Sequence, residues 1–531
     1  MPIKWQVLGL VALKVLFFSE LGLAQAEAVD KPEPEQKAGK TAKQTTFDIK
    51  EFRIDGNTLL NKVDVEKAVY PFLGSNKTIN DVEAARQSLE QRYHNDGYPT
   101  VLVDIPQQDV QGGMVWLRIN EGKIDRLRVT GSRYFSLDFI KSQVPALQEG
   151  HVLYVPGLQA QLGSISNYSP DRSITPVLRP GKTPGMVEVD LKVKDELPLH
   201  GSLELNNRST EDTTRLRLSG SISYDNLWQR GHSLSLQYQT APQETKEVRV
   251  FSGTYLARFP GASSMLAVYA VHSKSNTATL GNLTVIGSGD IYGVRLIAPL
   301  SNQDNYFHSI SLGVDYKDLK ESLEANKNPI SYISFNAQYS ATVMSPSGQT
   351  RLSIGPNFGI RGLGNTDQEF ENKRVYSRPN YIYLRGNVSR LQSLYHGIDL
   401  FFKAQGQLSN GPLVNNEQFS VGGVDSARGY YESQALGDDG IAGSLEIHSS
   451  PLSKIPQEMY LLAFTDGAKV RIRDALPGQQ GKFVLASYGV GMRMNDWRGL
   501  SIDFDLAWAL KTVGQVKKGY GMAHFRVEYG F

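Results

Sequence analysis

The sequence predicts a mostly β protein, in which a transmembrane antiparallel β-barrel of about 16 strands follows two small α+β modules. Three observations support this fold class. From about Leu199 onward, apolar and polar residues alternate in segments of around ten residues, the length that a membrane-spanning strand needs. The connections between these segments are alternately short and long. Before them, the order β-α-α-β-β occurs twice.

The composition of the chain excludes some classes of protein. A length of 531 residues predicts two or three domains. The 56 Lys+Arg and 54 Asp+Glu residues leave a formal net charge of +2, which argues against a nucleic-acid binder. There is no cysteine, so disulfides and Cys-ligated metals are excluded. The 50 glycines and 10% aromatic residues indicate β structure.

Residues 1–26 have the pattern of a secretory signal peptide. Lys4 gives a positive start, residues 7–18 a mostly apolar core, and residues 24–26 a small-x-small cleavage site. Residues 27–45 are rich in Pro, Lys, Glu and Gln, which predicts a linker. No later apolar run is long enough for a membrane helix. The mature chain is therefore expected in the periplasm, outside the cell, or in an outer membrane.

Residues 46–121 form the first predicted module. Its elements are an alternating strand, two amphipathic helices and two strands: Phe47–Ile54, Val63–Leu73, Ile79–Asn95, Thr100–Ile105 and Val115–Ile119. Residues 122–197 form the second module, in which Thr130-Gly131-Ser132 repeats Asp55-Gly56-Asn57 at a spacing of 75 residues. Its elements follow the same order: Ile124–Val129, Leu137–Val144, Leu158–Ile165, Ile174–Leu178 and Val187–Val193.

Two tandem modules of this order behind a signal peptide resemble POTRA domains, which are periplasmic modules that precede outer-membrane barrels. A POTRA domain can receive an extended polypeptide by edge-strand pairing or in a groove beside a helix. The alternative is a pair of small α+β domains of unrelated use.

Residues 198–531 carry the barrel pattern. In the segment from Leu500 to Leu510 every second residue is apolar, opposite Ser501, Asp503 and Asp505, which suits lipid outside and water inside. A soluble β-sandwich also alternates, but so many long segments with a polar face favour a membrane barrel. Short connections alternate with longer polar ones, the longest at 410–441, as in outer-membrane barrels.

The last predicted strand ends the chain on an aromatic residue. A terminal aromatic strand resembles the signal that the barrel-assembly machinery reads, although this strand also simply closes the barrel. The residues expected to carry the signal are Phe525, Val527, Tyr529 and Phe531.

Two unusual stretches predict a site inside the barrel. The long loop carries Arg428-Gly429-Tyr430, and the apolar segment around Phe464 contains a lone Asp466. A carboxylate facing lipid is costly, so the strand must turn Asp466 inward. A guanidinium offers a planar fork for pairing with a carboxylate. The alternative is a solvated surface loop with an unpaired arginine.

The two modules, the barrel and the loop motif together resemble the two-partner secretion transporters (TpsB), the haemolysin secretion/activation proteins of the POTRA–barrel superfamily. The family's loop motif is Val-Arg-Gly-Tyr/Phe, with Ala427 here in place of Val. Its facing strand motif matches Phe464 and Asp466, with glycine one place early. The resemblance implies that Arg428 pairs with Asp466 in the lumen. The supporting residues are Gly422, Gly423 and Gly429, which let the loop bend, with Tyr430, Phe464 and Gly467.

The resemblance implies an outer-membrane transporter that exports a large TpsA-type exoprotein, a haemolysin, adhesin or growth-inhibition toxin, from periplasm to cell surface. Outer-membrane lipid and the barrel-assembly machinery are its other expected partners. One alternative is an assembly factor that inserts other barrels, for which more POTRA modules would be expected. A second is a passive porin, which leaves the modules unexplained.

Signatures of catalysis are missing from the sequence. There is no H-E-x-x-H, complete Walker A or G-x-S-x-G motif, and the nine histidines show no metal-ligand spacing. We therefore expect neither an enzyme nor a metal or other cofactor. Nucleic acids and small-molecule substrates are not expected as partners either.

Overall fold

A computed structural model describes residues 45–531 of the chain, except 111, 169–170, 183–184, 260–263, 276, 281–282, 287, 302–304, 321, 324–325, 328 and 453–458. The predicted signal peptide and all but the last residue of the linker lie outside the described residues. Contacts divide the chain into two compact units. The first comprises residues up to 127 with 146–159 and 178–189, and the second comprises 128–145, 160–177 and 190–531.

The first module has two small sheets and two helices. A three-stranded sheet has the order β2-β5-β4, with β2 parallel to β5, and β1 pairs with β3. In α2, the side chains of Val82, Ala85, Leu89 and Tyr93 are buried, as the apolar face predicts. The elements are β1 Phe47–Ile49, β2 Glu51–Asp55, α1 Lys62–Val69, β3 Gly74–Lys77, α2 Ile79–Asn95, β4 Val101–Asp104 and β5 Met114–Glu121.

One strand of this module differs from the prediction. Phe47–Ile54 was expected as a single strand, but the structure breaks it at Lys50. Phe47 pairs with Lys77 in one sheet, whereas Glu51 pairs with Met114 in the other. The expectation was wrong because period-2 alternation continues through a residue where the chain changes its pairing partner.

The second module has the predicted order β-α-α-β-β, and in its described residues the β1–β3 pair of the first module has no counterpart. Its three-stranded sheet has the order β6-β8-β7. Gly56 and Gly131 both have φ +89°, and a Cβ there would lie 2.3 Å and 2.4 Å from the carbonyl oxygens of Ile119 and Val193. Equivalent glycines in equivalent turns support the predicted repeat. The elements are β6 Ile124–Thr130, α3 Leu137–Ser142, α4 Val155–Tyr168, β7 Arg172–Pro180 and β8 Val187–Asp195.

The division into compact units runs through this second module rather than along its ends. The predicted domain boundaries 46–121, 122–197 and 198–531 therefore stay predictions. Among the described residues, no helix has both the length and the apolar character needed to span a bilayer.

The rest of the chain forms a closed barrel of 16 antiparallel strands, which confirms the predicted fold class. The barrel strands are β9 Leu199–Asn206, β10 Arg217–Leu227, β11 His232–Thr240, β12 Arg249–Arg258, β13 Met265–Lys274, β16 Gly289–Pro299, β17 Tyr306–Leu319, β20 Ile330–Ser345, β21 Gly348–Gly359, β22 Ile382–Ser393, β23 Asp399–Ser409, β26 Asp439–His448, β27 Met459–Arg471, β28 Lys482–Trp497, β29 Leu500–Ala509 and β30 Gly521–Gly530.

The alternation of each strand separates an outer apolar face from an inner polar face. On β10, Leu218 and Ile222 are exposed on the outer surface, whereas Arg217 and Ser219 are buried. Outward apolar side chains match the hydrocarbon of a bilayer, and inward polar side chains pair with one another in the lumen. The barrel strands therefore have one apolar face and one polar face, as the sequence predicts.

The longer connections contain short elements of their own. They hold the hairpins β14 Thr277–Leu280 with β15 Leu283–Ile286, β18 Ser322–Leu323 with β19 Asn326–Lys327, and β24 Phe419–Val421 with β25 Ala435–Gly437, as well as the helix α5 Asp367–Lys373. The longest, called the long loop below, spans 410–438 because β26 begins at Asp439 rather than beyond 441 as predicted.

The last strand closes the barrel against the first. The backbone N–H of Phe531 donates to the carbonyl of Gly201 at 3.0 Å, and that of Gly201 donates to the carbonyl of Phe531 at 2.9 Å. A Cβ on Gly201 would lie 2.4 Å from the ring of Phe531, so the glycine leaves space for the ring. Phe531 is still 67% exposed.

We predict that deleting Phe531, or the change Phe531→Asp, lowers the amount of folded barrel in the outer membrane. Both changes remove an exposed aromatic ring at the closing strand, where it is accessible to an assembly factor. Tyr395→Asp is the matched control, because Tyr395 is also an exposed aromatic residue but lies in a turn. Heat-modifiable migration of outer-membrane fractions measures folded barrel. Unchanged amounts after both changes at Phe531 would contradict an assembly role.

Candidate functional site

The long loop folds back into the barrel instead of extending into solvent. Its hairpin of β24 and β25 leads to Gly422 and Gly423, whose φ values of +109° and +85° turn the chain sharply. Beyond the turn, Ala427 and Tyr430 are fully buried. They belong to one apolar cluster with inward side chains of the barrel wall: Ala442, Ala468, Val470, Leu485 and Ala509. The loop tip therefore packs against the inner wall.

At this tip Arg428 contacts Asp466 of β27. The guanidinium donates from Nη2 to Asp466 Oδ1 at 2.7 Å and from Nε to Oδ2 at 3.0 Å. The backbone N–H of Arg428 also donates to Oδ2, at 3.0 Å. The two side chains are only 3% and 1% exposed. A bidentate pair with a third bond from the backbone fixes both the side chain and the main chain of the loop tip.

The register of the barrel completes the surroundings of Asp466. Ser444 on β26 and Ser487 on β28 lie directly opposite Asp466 in the strand ladders. Their hydroxyls donate to its carboxylate at 2.8 Å and 3.3 Å. Inward parity along β27 also places Phe464 in the lumen, where the Arg428 guanidinium lies 3.3 Å from the ring centroid.

The arginine is surrounded by more negative charge than Asp466 supplies. Arg428 Nη1 lies 2.9 Å from a carboxylate oxygen of Glu446 and 3.9 Å from one of Asp505. Arg493 in turn binds Asp505 with two bonds of 2.8 Å. Arg428 therefore lies among three carboxylates, of which Asp505 also has Arg493 as a partner, and its removal takes the guanidinium away from Asp466 and Glu446 in a confined space.

Tyr430 and Gly429 fit the tip against strands β28 and β29. The Tyr430 hydroxyl donates to the carbonyl of Lys511 at 2.8 Å. A Cβ on Gly429 would lie 2.8 Å from the Cβ of Ser487 and 3.0 Å from the Cα of Ala509. Gly429 was expected to let the loop bend, but its φ is not positive. The structure requires glycine there because the backbone approaches the wall closely.

The structure brings most of the predicted site residues together, but not Gly467. This residue has the opposite parity from Asp466 and lies on the exposed outer face, where a Cβ would meet no atom within 4 Å. In the sequence, Gly467 stands one place earlier than the glycine of the family's strand motif. Because side chains alternate along β27, this position lies on the outer face and makes no contact at the site.

Sequence reasoning missed several contacts of the loop. His524 on β30 donates from Nε2 to the carbonyl of Arg428 at 2.5 Å. Arg208 binds Glu432 at 3.0 Å and also pairs with Asp425, so the flanks of the tip are held as well. The alternation of β30 marks His524 as inward, but only closure of the barrel brings it opposite the loop.

In the described part of the chain, one group of three side chains is arranged so that it could ligate a metal ion. Oxygen or nitrogen atoms of Asp171, His200 and Asp225 lie within 4.8 Å of one another. His200 Nε2 is 2.9 Å from the Asp171 carboxylate, so the two side chains already contact each other. Sequence spacing gave no sign of this group, because His200 lies 29 positions after Asp171 and 25 before Asp225; the expectation of no metal stays a prediction.

Comparison with known proteins identifies the family. Residues 185–494 match the family described as haemolysin secretion/activation protein ShlB/FhaC/HecB, and residues 47–122 match the ShlB-type POTRA domain. The outer membrane transporter CdiB of Dickeya dadantii (strain 3937) is 23% identical over 441 residues, which cover 76% of this chain and 72% of that protein.

Two further proteins resemble the chain over most of its length. The heme/hemopexin transporter protein HuxB of Haemophilus influenzae is 19% identical over 449 residues, 82% of this chain and 78% of that protein. The structure of CdiB from Escherichia coli matches with a TM-score of 0.66 at 19% identity. The match covers 94% of this chain and 93% of the CdiB chain. The latter likeness shows a shared fold. Since the family match extends over more than half of the 531 residues, the chain belongs to the haemolysin secretion/activation protein family ShlB/FhaC/HecB.

Proposed function

We propose that this protein exports one large partner exoprotein of the TpsA type through its barrel, from the periplasm to the cell surface. The single observation that carries the proposal is the long loop inside the lumen, with Arg428 bonded to Asp466. A loop that folds into the lumen makes a pore whose opening can be controlled. The POTRA domain matched at residues 47–122 gives the arriving polypeptide a periplasmic receptor.

The location follows from the barrel and the family. The 16-strand barrel lies in the outer membrane, and the POTRA domain lies in the periplasm. We infer that the partner arrives unfolded and that its folding outside the cell drives export, because the periplasm lacks ATP and the sequence has no nucleotide-binding motif. We further infer that transport involves no catalytic step.

The family favours export over the two alternatives. An assembly factor that inserts other barrels shares the combination of POTRA domain and barrel, but the match is to a secretion and activation family. A passive porin would leave the POTRA domain without a role. Outer-membrane lipid and the barrel-assembly machinery are proposed as further partners, the first from the outward apolar faces and the second from the terminal aromatic strand.

The nature of the cargo is a finer question. The known relatives carry different names, one an outer membrane transporter and one a heme/hemopexin transporter. We propose a secreted partner large enough to need a dedicated pore, with a haemolysin, an adhesin or a growth-inhibition toxin as the candidates. The gene next to this one tests the proposal cheaply, since a large, repeat-rich secreted protein encoded there supports export.

We predict that deleting residues 47–193 leaves a barrel that inserts into the outer membrane but no longer secretes its partner. The deletion removes the periplasmic receptor and keeps all 16 barrel strands. Heat-modifiable migration measures insertion, and the partner in the culture medium measures secretion. A shorter deletion of residues 47–121 tests the first module alone. Normal secretion by the barrel without either module would contradict the proposed role of the modules as a receptor.

We predict that Arg428→Ala and Asp466→Ala each impair secretion and lower the thermal stability of the purified barrel, with Arg428→Ala the worse. Breaking a buried ion pair on one side costs roughly 3–5 kcal/mol. Asp466→Ala leaves Arg428 with Glu446 at 2.9 Å, whereas Arg428→Ala leaves both Asp466 and Glu446 without the guanidinium that they share.

The matched control is Arg361→Ala, because Arg361 pairs with Asp367 at the exposed surface. An exposed pair of this kind contributes only about 0–1 kcal/mol. The double variant of Arg428 and Asp466 should be little worse than Arg428→Ala alone. Two effects that simply add would mean that the residues are not coupled, and the loop would then be held by its other contacts.

A further inference from the structure

The long loop has a second set of buried polar contacts near its first end. A short 3-10 helix, Asn415–Glu417, turns Glu417 into the barrel, where the residue is 1% exposed. Its carboxylate accepts from Lys317 Nζ at 2.5 Å and from the hydroxyls of Tyr332 and Tyr383 at 2.6 Å and 2.7 Å. A buried carboxylate with three donors is held in one position, since leaving it unpaired would be costly.

These donors lie on a different part of the wall from the partners of Arg428. Lys317 is on β17, Tyr332 on β20 and Tyr383 on β22, while the contacts of Arg428 come from β26, β27, β29 and β30. In the barrel order, β23 separates the strands that contact Glu417 from the strands that contact Arg428. The long loop leaves the wall at the end of β23. The loop is therefore fixed to the wall on both sides of its origin.

The segment with helix α5, between β21 and β22, closes over the same place. Phe370 packs edge-on against Tyr332, with ring centroids 5.5 Å apart. Arg374 donates to Asp438, at the other end of the long loop, at 2.7 Å. Asp438 is fully buried and also accepts from the backbone N–H of Arg473 at 2.7 Å. The α5 segment thus contacts both a donor to Glu417 and the end of the long loop.

We propose that Glu417 is a positioning residue for export. With Lys317, Tyr332 and Tyr383 it forms an outer anchor that holds the long loop and the α5 segment across the extracellular mouth. This anchor opens before an unfolded polypeptide leaves the barrel, whereas Arg428 fixes the loop tip deeper against β27. The inference rests on the proposed export function. It adds to that function the residues that hold the loop closed at the extracellular mouth.

The chemistry of the outer anchor suits release by a polypeptide. Two of its three donors are neutral tyrosine hydroxyls, which can bond equally to the backbone carbonyls of an extended chain. Lys317 can pair with a carboxylate of that chain in place of Glu417. A passing segment with free backbone groups and acidic side chains can therefore exchange for the loop without leaving the donors unpaired.

The test uses the full chain with a single cysteine, since the sequence has none of its own. Val414→Cys places the thiol next to the outer anchor at a residue that is 1% exposed. A membrane-impermeant maleimide, added to intact cells, then measures access from outside. We expect Glu417→Ala to speed labelling by at least roughly tenfold, because loss of the anchor shifts the closed–open equilibrium. Asp212→Ala, at an exposed carboxylate of another outer loop, is the control and should leave labelling slow.

A second measurement is the KCl current through the purified full chain in planar lipid bilayers. We expect longer or more frequent openings for Glu417→Ala than for the wild type or Asp212→Ala. Tyr332→Phe and Tyr383→Phe each remove one donor and should have smaller effects of the same sign, and they decide the question if Glu417→Ala does not fold. Labelling and currents unchanged in all folded variants would overturn the outer anchor.

Secretion of the partner is measured separately, so the two proposals fail in distinguishable ways. Labelling and current need no partner, and they report on the outer anchor even if the protein exports nothing. If the wild type secretes no partner while Glu417→Ala still opens the mouth, export is wrong and the anchor stands. If secretion is normal and the mouth is unaffected by Glu417→Ala, the anchor is wrong and export stands.

Discussion

The guanidinium of Arg428 is enclosed in the barrel and therefore needs carboxylate partners on the inner wall. This constraint organises the structure around it. With 3% of its side chain exposed, it must face carboxylates that are already in position. Those carboxylates come from separate strands, so the strands must be in register with one another. A slip of β27 by one residue would turn Asp466 toward lipid and Thr465 into the lumen. The ion pair and the barrel register therefore depend on each other.

The same pair specifies position more than it adds stability. Taking a cation and an anion out of water costs nearly as much as their attraction returns, so a buried pair contributes little net free energy compared with an apolar contact. Breaking it on one side is nevertheless expensive. A loop held this way has one well-defined closed position, and its tip also packs in an apolar cluster with the inner wall. The pair therefore fixes where the loop tip lies on the wall.

Period-2 alternation explains how much of this could be predicted. It fixes which side chains face the lumen, so the barrel, its strand number and the inward side of Asp466 follow from the sequence. It cannot say which inward residues meet. His524 reaches Arg428 only because β30 closes the ring, and Glu417 meets donors from three strands well before it in the chain. Gly467 was placed at the site by its motif position, but parity puts it outside.

The two anchors differ in how they can be opened. Arg428 is held by charges on several strands, so a neutral peptide backbone cannot replace its partners without leaving carboxylates unpaired. Glu417 is held mainly by hydroxyls, which a backbone can satisfy, and by a single lysine. Exchange with a polypeptide is therefore easier at the outer anchor than at the tip. Release of the mouth does not require release of the tip, so the loop can stay attached to β27 while it moves aside.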